Sequence, residues 1–258
     1  MKGSWKLGRF AGVDAYVHWS FALLIAWAAW SAWSGAGTLL AVALGVAFLL
    51  AVFGSVLLHE LGHALVARRY GVRTQHIVLT PIGGIASLER MPAAPRAELA
   101  IALAGPAVNL VIAAGLALLG AMGFSLGFGL LGALMWANVT LALFNLIPAF
   151  PMDGGRALRA FLATRMGKKN ATGIAVSLGK AVAIAMGLIG FFTNPMLVLV
   201  AVFVWFAGSA EARQVGYDER QSWVSPYDGG AFWDDREDLY ARRRPPAVML
   251  VNGRLYYR

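Results

Sequence analysis

Long apolar runs alternate along this chain with short polar ones. Three stretches, Ala15 to Leu58, Leu99 to Met152 and Ala181 to Ala210, contain no Lys, Arg, Asp or Glu. A helix that crosses a bilayer needs about 20 mostly apolar residues, so each of the first two stretches holds two crossings. Turn-forming residues divide them, Ser34 to Thr38 in the first and Met122 to Gly127 in the second. The third stretch, broken at Thr193-Asn194-Pro195, is short for two, so the fifth helix must begin before Lys180, near Gly173. The pattern predicts six spans, at about 18–33, 38–67, 99–122, 126–149, 173–193 and 195–210. Between them the period changes twice. Gly12 to His18 alternates roughly and predicts a short strand at the membrane surface. Val72 to Leu79 is alternating and β-branched, Thr80 to Gly84 turns, and Ile85 to Leu88 resumes, which predicts a β-hairpin over about 72–88. The expected fold is an all-α polytopic membrane protein with a small membrane-associated sheet after its second helix.

Composition agrees with the pattern. Of 258 residues 59% are hydrophobic and 14% charged, against about 25% charged in soluble domains; the mean hydropathy is +0.65. The absence of cysteine removes disulfides, thiolate ligands and thiol catalysis together. The formal charge of +9 raises the question of nucleic acid, but its distribution answers it. Basic residues cluster after spans two, four and six (Arg68, Arg69, Arg73; Arg156, Arg159, Arg165; Arg213 onward), while the three opposite turns carry no charge. That is a topology signal, and it puts both termini on the cytosolic side of a plasma or inner membrane. The first span is not read as a signal peptide, because removing it would spoil the parity.

Residues 213–258 differ in composition and form a cytosolic tail after a core of 1–212. Arg242-Arg243-Arg244 with Pro245-Pro246 suits contact with anionic lipid headgroups. Residues 247–258 read as a hairpin with an Asn252-Gly253 turn. An appendage that gates the site and a disordered tail both remain open.

The chemistry concentrates at the end of span two, in His59-Glu60-Leu61-Gly62-His63. On a helix, side chains four apart share a face, so both imidazoles can reach one metal ion. Neutral imidazoles suit Zn²⁺, a catalytic site of which leaves a position open for water. Glu60 beside them is placed to act as general base and then acid. H-E-x-x-H on a helix is a metalloprotease signature. An ionisable cluster in a membrane helix is costly and points to function. A third ligand must come from the few other carboxylates near the apolar blocks: Asp14, Glu89, Glu98 and Asp153. Asp153 matches the histidines in depth, lying just past the prolines of Asn145 to Gly155; it also suits the N-cap of a following helix. His18 and His76 are further candidates whose ordinary reading is a hydrogen bond. Trp19, Trp27, Trp30 and Trp33 read as packing and interface anchors.

On these motifs the chain resembles the site-2 protease family of intramembrane zinc metalloproteases, most closely its compact prokaryotic branch. The resemblance rests on His59 to His63, on Asn145 to Gly155, which fits N-x-x-P-x-x-P-x-D-G-G, and on Leu79 to Gly84 and Ala104 to Asn109. It implies a six-helix core and one zinc ion held by His59, His63 and Asp153. It also implies Glu60 as general base and acid, with Asn145 placing the substrate or stabilising the oxyanion. Chemistry adds that a substrate helix must unwind to expose its peptide bond. The freed backbone can pair with an edge of the hairpin, where Gly83 and Gly84 permit close approach or simply turn. Family analogy suggests anti-sigma factors, membrane-tethered transcription factors or remnant signal peptides as substrates. The chain departs from longer members in having no PDZ domain between spans and no recognisable CBS domain. Two other functions fit the same residues, a membrane metal transporter or channel and an inactive scaffold of the same fold. Glu60 discriminates, since catalysis needs it free while an ion path needs polar residues across the outer halves.

Overall fold

The computed structural model describes residues 3–81, 83–88, 94–124, 129–224, 248–251 and 254–257. Seven helices occur among them: α1 (Phe21–Ala36), α2 (Leu39–Arg69), α3 (Pro95–Ala121), α4 (Leu130–Asn145), α5 (Asp153–Met166), α6 (Lys168–Thr193) and α7 (Pro195–Val224). Three of them, α2, α3 and α6, are long and apolar enough to cross a membrane, and α1, α4 and Pro195–Glu211 of α7 are shorter apolar helices. Only 11% of the most apolar window of α2 is buried. Leu39, Leu118, Phe191 and Phe192 lie more than half exposed, which fits a lipid solvent rather than water. The chain is that of a membrane protein.

Local chemistry sets the helix ends. Gly37 takes a left-handed conformation (φ 62°) and closes α1 through its N–H to the Trp33 carbonyl at 2.7 Å. Thr38 then caps α2 by accepting from the Ala41 N–H at 3.2 Å. The expected turn at 34–38 is therefore one helix stop against one helix start. Pro95 opens α3, where its missing N–H costs nothing.

The sheet is larger than a hairpin. Four strands, β1 (Ser4–Phe10), β2 (Val13–His18), β3 (Thr74–Thr80) and β4 (Gly83–Leu88), lie in the order β1-β2-β3-β4. β1 with β2 and β3 with β4 are antiparallel, and β2 pairs in parallel with β3. The single surface strand expected near the N-terminus is thus two strands, joined to the later hairpin through a crossover made of α1 and α2. Ile77 and Leu79 of β3 pack on Leu61 of α2, with Val13 and Val17 of β2 beside them. This seats the sheet against the end of α2 that carries the histidines. Gly83 and Gly84, expected in the turn, begin strand β4, an edge of the sheet.

Two further boundaries differ. Of the span expected at 126–149, residues 126–128 lie outside the described residues; α4 runs from Leu130 to Asn145, residues 146–152 leave the helix, and α5 starts at Asp153. The fifth apolar helix begins at Lys168, five residues before Gly173, so Lys180 lies deeper in it than expected. Its Nζ sits 5.1 Å from the centroid of the Trp205 ring.

The chain divides into two compact units, 1–216 and 217–258. In the second, β5 (Val248–Val251) pairs antiparallel with β6 (Arg254–Tyr257). Glu89, Arg90, Arg242 to Pro246 and the Asn252-Gly253 turn lie outside the described residues.

Candidate metal centre and cavity

Two helices meet at one point. His59 and His63 stand one turn apart on α2, and Asp153 is the first residue of α5. All three are buried. Nε2 of His59 lies 3.1 Å from Nε2 of His63, and Oδ2 of Asp153 lies 3.1 Å and 3.2 Å from them. Asp153 does not cap its helix: Met152 holds the N-cap position and no side chain caps there. Of the other carboxylates weighed as a third ligand, Asp14 pairs with Lys6 at 2.9 Å and Glu98 with Arg159. His18 contacts Ser20 Oγ and His76 contacts Ser87 Oγ, the ordinary roles expected of them.

Glycines make the convergence possible. A Cβ at Gly105 of α3 would overlap Nε2 of both His63 and His59, so only glycine lets α3 come this close. One at Gly62 would lie 2.8 Å from Val108 Cγ2, which shows the same tight crossing from the α2 side. A Cβ at Gly154 would overlap the carbonyl oxygens of Leu146 and Ile147, and one at Gly155 would lie 2.7 Å from the Ala149 carbonyl carbon. The paired glycines allow the start of α5 to press against the loop that leaves α4, and so aim Asp153.

The donor set fits a divalent cation. His63 Nδ1 lies 2.7 Å from the Ile101 carbonyl oxygen; that oxygen only accepts, so Nδ1 carries the proton and the neutral ring offers Nε2 as a lone pair. Three electron-rich atoms about 3.1–3.2 Å apart repel one another unless a proton or cation lies among them. Tetrahedral zinc with bonds of about 2.0–2.1 Å sets its ligand atoms roughly 3.3–3.4 Å apart, close to the spacing seen. Asp153 adds a carboxylate oxygen, an anionic donor, to the two imidazole nitrogens.

Glu60 lies beside this triangle and makes no hydrogen bond or ion pair among the described residues. A Cβ at Gly84 would sit 2.6 Å from Glu60 Cγ, so the backbone of β4 runs directly over the carboxylate. A cavity of about 580 Å³ joins these groups and is also lined by Asn145, Gly83, Gly84, Asn109 and Arg156. Asn145 Nδ2 donates to the Leu141 carbonyl at 3.0 Å, and its side chain makes no other hydrogen bond among the described residues.

One cluster was not anticipated from the sequence. Arg159, counted there as a basic residue of the cytosolic side, is 1% exposed in α5. Its Nε donates to Glu98 Oε1 at 2.7 Å, its Nη1 meets Glu211 Oε1 at 2.5 Å, and its guanidinium stacks 5.1 Å from the Phe150 ring. No spacing in the sequence joins these positions; the one available signal was an arginine and a glutamate at the margins of apolar blocks.

Similarity to known proteins agrees with the geometry. Residues 47–130 and 125–188 match the sequence model of peptidase family M50. Zinc metalloprotease MJ0392 of Methanocaldococcus jannaschii is 45% identical over 168 residues, 64% of this chain and 49% of that one. Stage IV sporulation protein FB of Bacillus subtilis is 27% identical over 63% of this chain and 57% of its own. The chain thus spans about half the length of these curated relatives. The solved structure of a site-2 protease from Methanocaldococcus jannaschii superposes with a TM-score of 0.60 at 38% identity, covering 81% of this chain and 95% of that one.

Proposed function

The chain belongs to peptidase family M50, the family of the site-2 proteases, and from that premise we propose that it is a zinc-dependent endopeptidase that cuts within the membrane. The observation that supports this most directly is the triangle of His59, His63 and Asp153 with an unpaired carboxylate, Glu60, next to it. His59, His63 and Asp153 would hold the zinc ion, which when bound would supply Lewis-acid polarisation of the scissile carbonyl and lower the pKa of a water to about 7. Glu60 takes the proton of the attacking water and delivers it to the leaving amide nitrogen. Asn145 positions the peptide through the N–H and oxygen it keeps free. A substrate helix that has lost its internal hydrogen bonds adds as a strand to the open edge of β4, where Gly83 and Gly84 leave room beside Glu60.

The membrane arrangement is part of the same proposal. α1 to α4, α6 and the apolar part of α7 form six crossings, the termini and the metal site face the cytosol of a plasma or inner membrane, and the substrate is a membrane-spanning protein. Anti-sigma factors, membrane-tethered transcription factors and remnant signal peptides are candidates by family analogy alone.

The test is metal analysis with a cleavage assay on a single-span reporter carrying helix-weakening residues. The parent chain binds one zinc and cuts; Glu60→Gln keeps the zinc and loses at least about a thousandfold in rate, the loss of a general base with part of its electrostatic role. Undiminished cleavage by purified Glu60→Gln protein defeats the proposal.

A further inference from the structure

The stretch Ala104-Gly105-Pro106-Ala107-Val108-Asn109 of α3 does two things, and only one is explained by the metal centre. Gly105 makes room for the imidazoles. Asn109 stands one turn further along the same face, toward the uncharged half of α3, and lines the same cavity. It is 1% exposed, its Oδ1 is buried without a hydrogen-bond partner, and its carboxamide makes no hydrogen bond among the described residues. Val56, Leu141 and Phe144 give the same cavity apolar lining beside its polar groups. An amide buried in such a place without a partner is costly to the fold.

Two other asparagines near the membrane core show what a structural role looks like. Asn138 is fully buried and its Oδ1 is likewise without a partner, but its Nδ2 donates to Ser55 Oγ at 3.1 Å and to the Leu134 carbonyl at 2.9 Å, tying α4 to α2, whereas no hydrogen bond of the Asn109 Nδ2 occurs among the described residues. Asn145 donates to its own helix. Asn109 ties nothing together. Pro106, four residues on from Ala102, has no N–H to give the Ala102 carbonyl, and Ala102 too lines the cavity. This wall of α3 therefore holds a polar side chain with no partner among the described residues.

We propose that the carboxamide of Asn109 is a substrate-binding group that pairs with one peptide unit of the bound segment, on the membrane-interior side of the metal centre. This rests on the proteolytic reading above. A carboxamide offers both a donor and an acceptor, the complement of one peptide N–H and C=O. A peptide unit drawn out of a helix loses its internal hydrogen bonds and needs both from the wall it meets.

The test is the affinity of full-length protein for a fluorescent single-span reporter with helix-weakening residues, measured in the Glu60→Gln background so that nothing is cut. Asn109→Leu, close in size and without polar atoms, is expected to bind the reporter at least tenfold more weakly while keeping one zinc per chain and an equal or higher melting temperature. Asn109→Gln is expected to recover part of the affinity. Unchanged reporter affinity in Asn109→Leu overturns the proposal, and so does a fall in zinc content or melting temperature that accounts for the weakening, since either makes the residue structural. If Asn109→Leu does not fold, Asn109→Ala and Asn109→Thr are read by the same criteria. Failure of the enzymatic reading is seen separately, as undiminished cleavage by the Glu60→Gln chain with Asn109 intact.

Discussion

Two buried polar clusters each take one member from α5, Asp153 and Arg159, and differ in one respect. In the first, His59, His63 and Asp153 bring three electron-rich atoms within 3.2 Å of one another, with Glu60 unpaired alongside. In the second, Arg159 sits between Glu98 and Glu211, and each charge faces its opposite. The second is complete within the chain. The first is complete only when a cation joins it. A buried group that the fold satisfies is part of the scaffold, whereas one that the fold leaves unsatisfied at a cavity wall is a place for something else. The same distinction separates Asn138, whose Nδ2 is paired with α2, from Asn109, whose carboxamide makes no hydrogen bond among the described residues.

The comparison breaks first at Arg159. If the cluster is structural, Arg159→Met strands two carboxylates, Glu98 almost fully buried, and is expected to destabilise the protein by about 3–5 kcal/mol. Thermal unfolding in detergent measures this. Replacing Glu98 and Arg159 together by Leu and Met is expected to restore most of the loss, because an apolar pair of similar volume needs no partner. A single Arg159→Met that melts with the parent would show that the cluster holds nothing together.

At the first cluster the expected signature is reversed. Structural zinc is worth about 10–16 kcal/mol shared over four ligands, so losing the charge of one ligand costs on the order of 3 kcal/mol, or a hundredfold or more in zinc affinity. Asp153→Asn is expected to lose zinc by that factor while the metal-free chain melts near the metal-free parent, since the removed charge had no fixed partner but two imidazoles. Zinc titration against a competing chelator reads the effect. A metal-free Asp153→Asn chain that unfolds several degrees lower than the metal-free parent would make the triangle a fold element like Arg159's.

These two clusters were not equally legible in the sequence. His59, Glu60 and His63 are local: helical period alone puts the imidazoles on one face, and the apolar run before them makes their cost visible. Asp153 is distant but flagged by its neighbours, since Pro148, Pro151, Gly154 and Gly155 announce a break and a close approach at the right depth. Arg159 had no such announcement. Its partners lie 61 and 52 residues away on other helices, and a lone arginine after a span reads as a topology signal. The parallel pairing of β2 with β3 was hidden for the same reason, because register across a two-helix crossover leaves no mark in either strand. Gly105 stood in a motif, yet its reason is steric and is visible only once α2 and α3 are placed together.

The smallest expected effect sharpens the comparison most. Glu211 belongs to the second cluster, but its side chain is 26% exposed where that of Glu98 is 5% exposed. Solvent weakens the ion pair on that side, so Glu211→Gln, which still offers an oxygen to Nη1, is expected to cost no more than about 1 kcal/mol, and Glu98→Gln clearly more. Thermal unfolding of the two variants side by side decides it. Unequal costs make Arg159 a link chiefly between α5 and α3, the two helices that carry Asp153 and Gly105, with α7 held more loosely. Equal costs would mean that α7 is clamped as firmly as α3, and that the wall of the metal site depends on the segment leading into the tail.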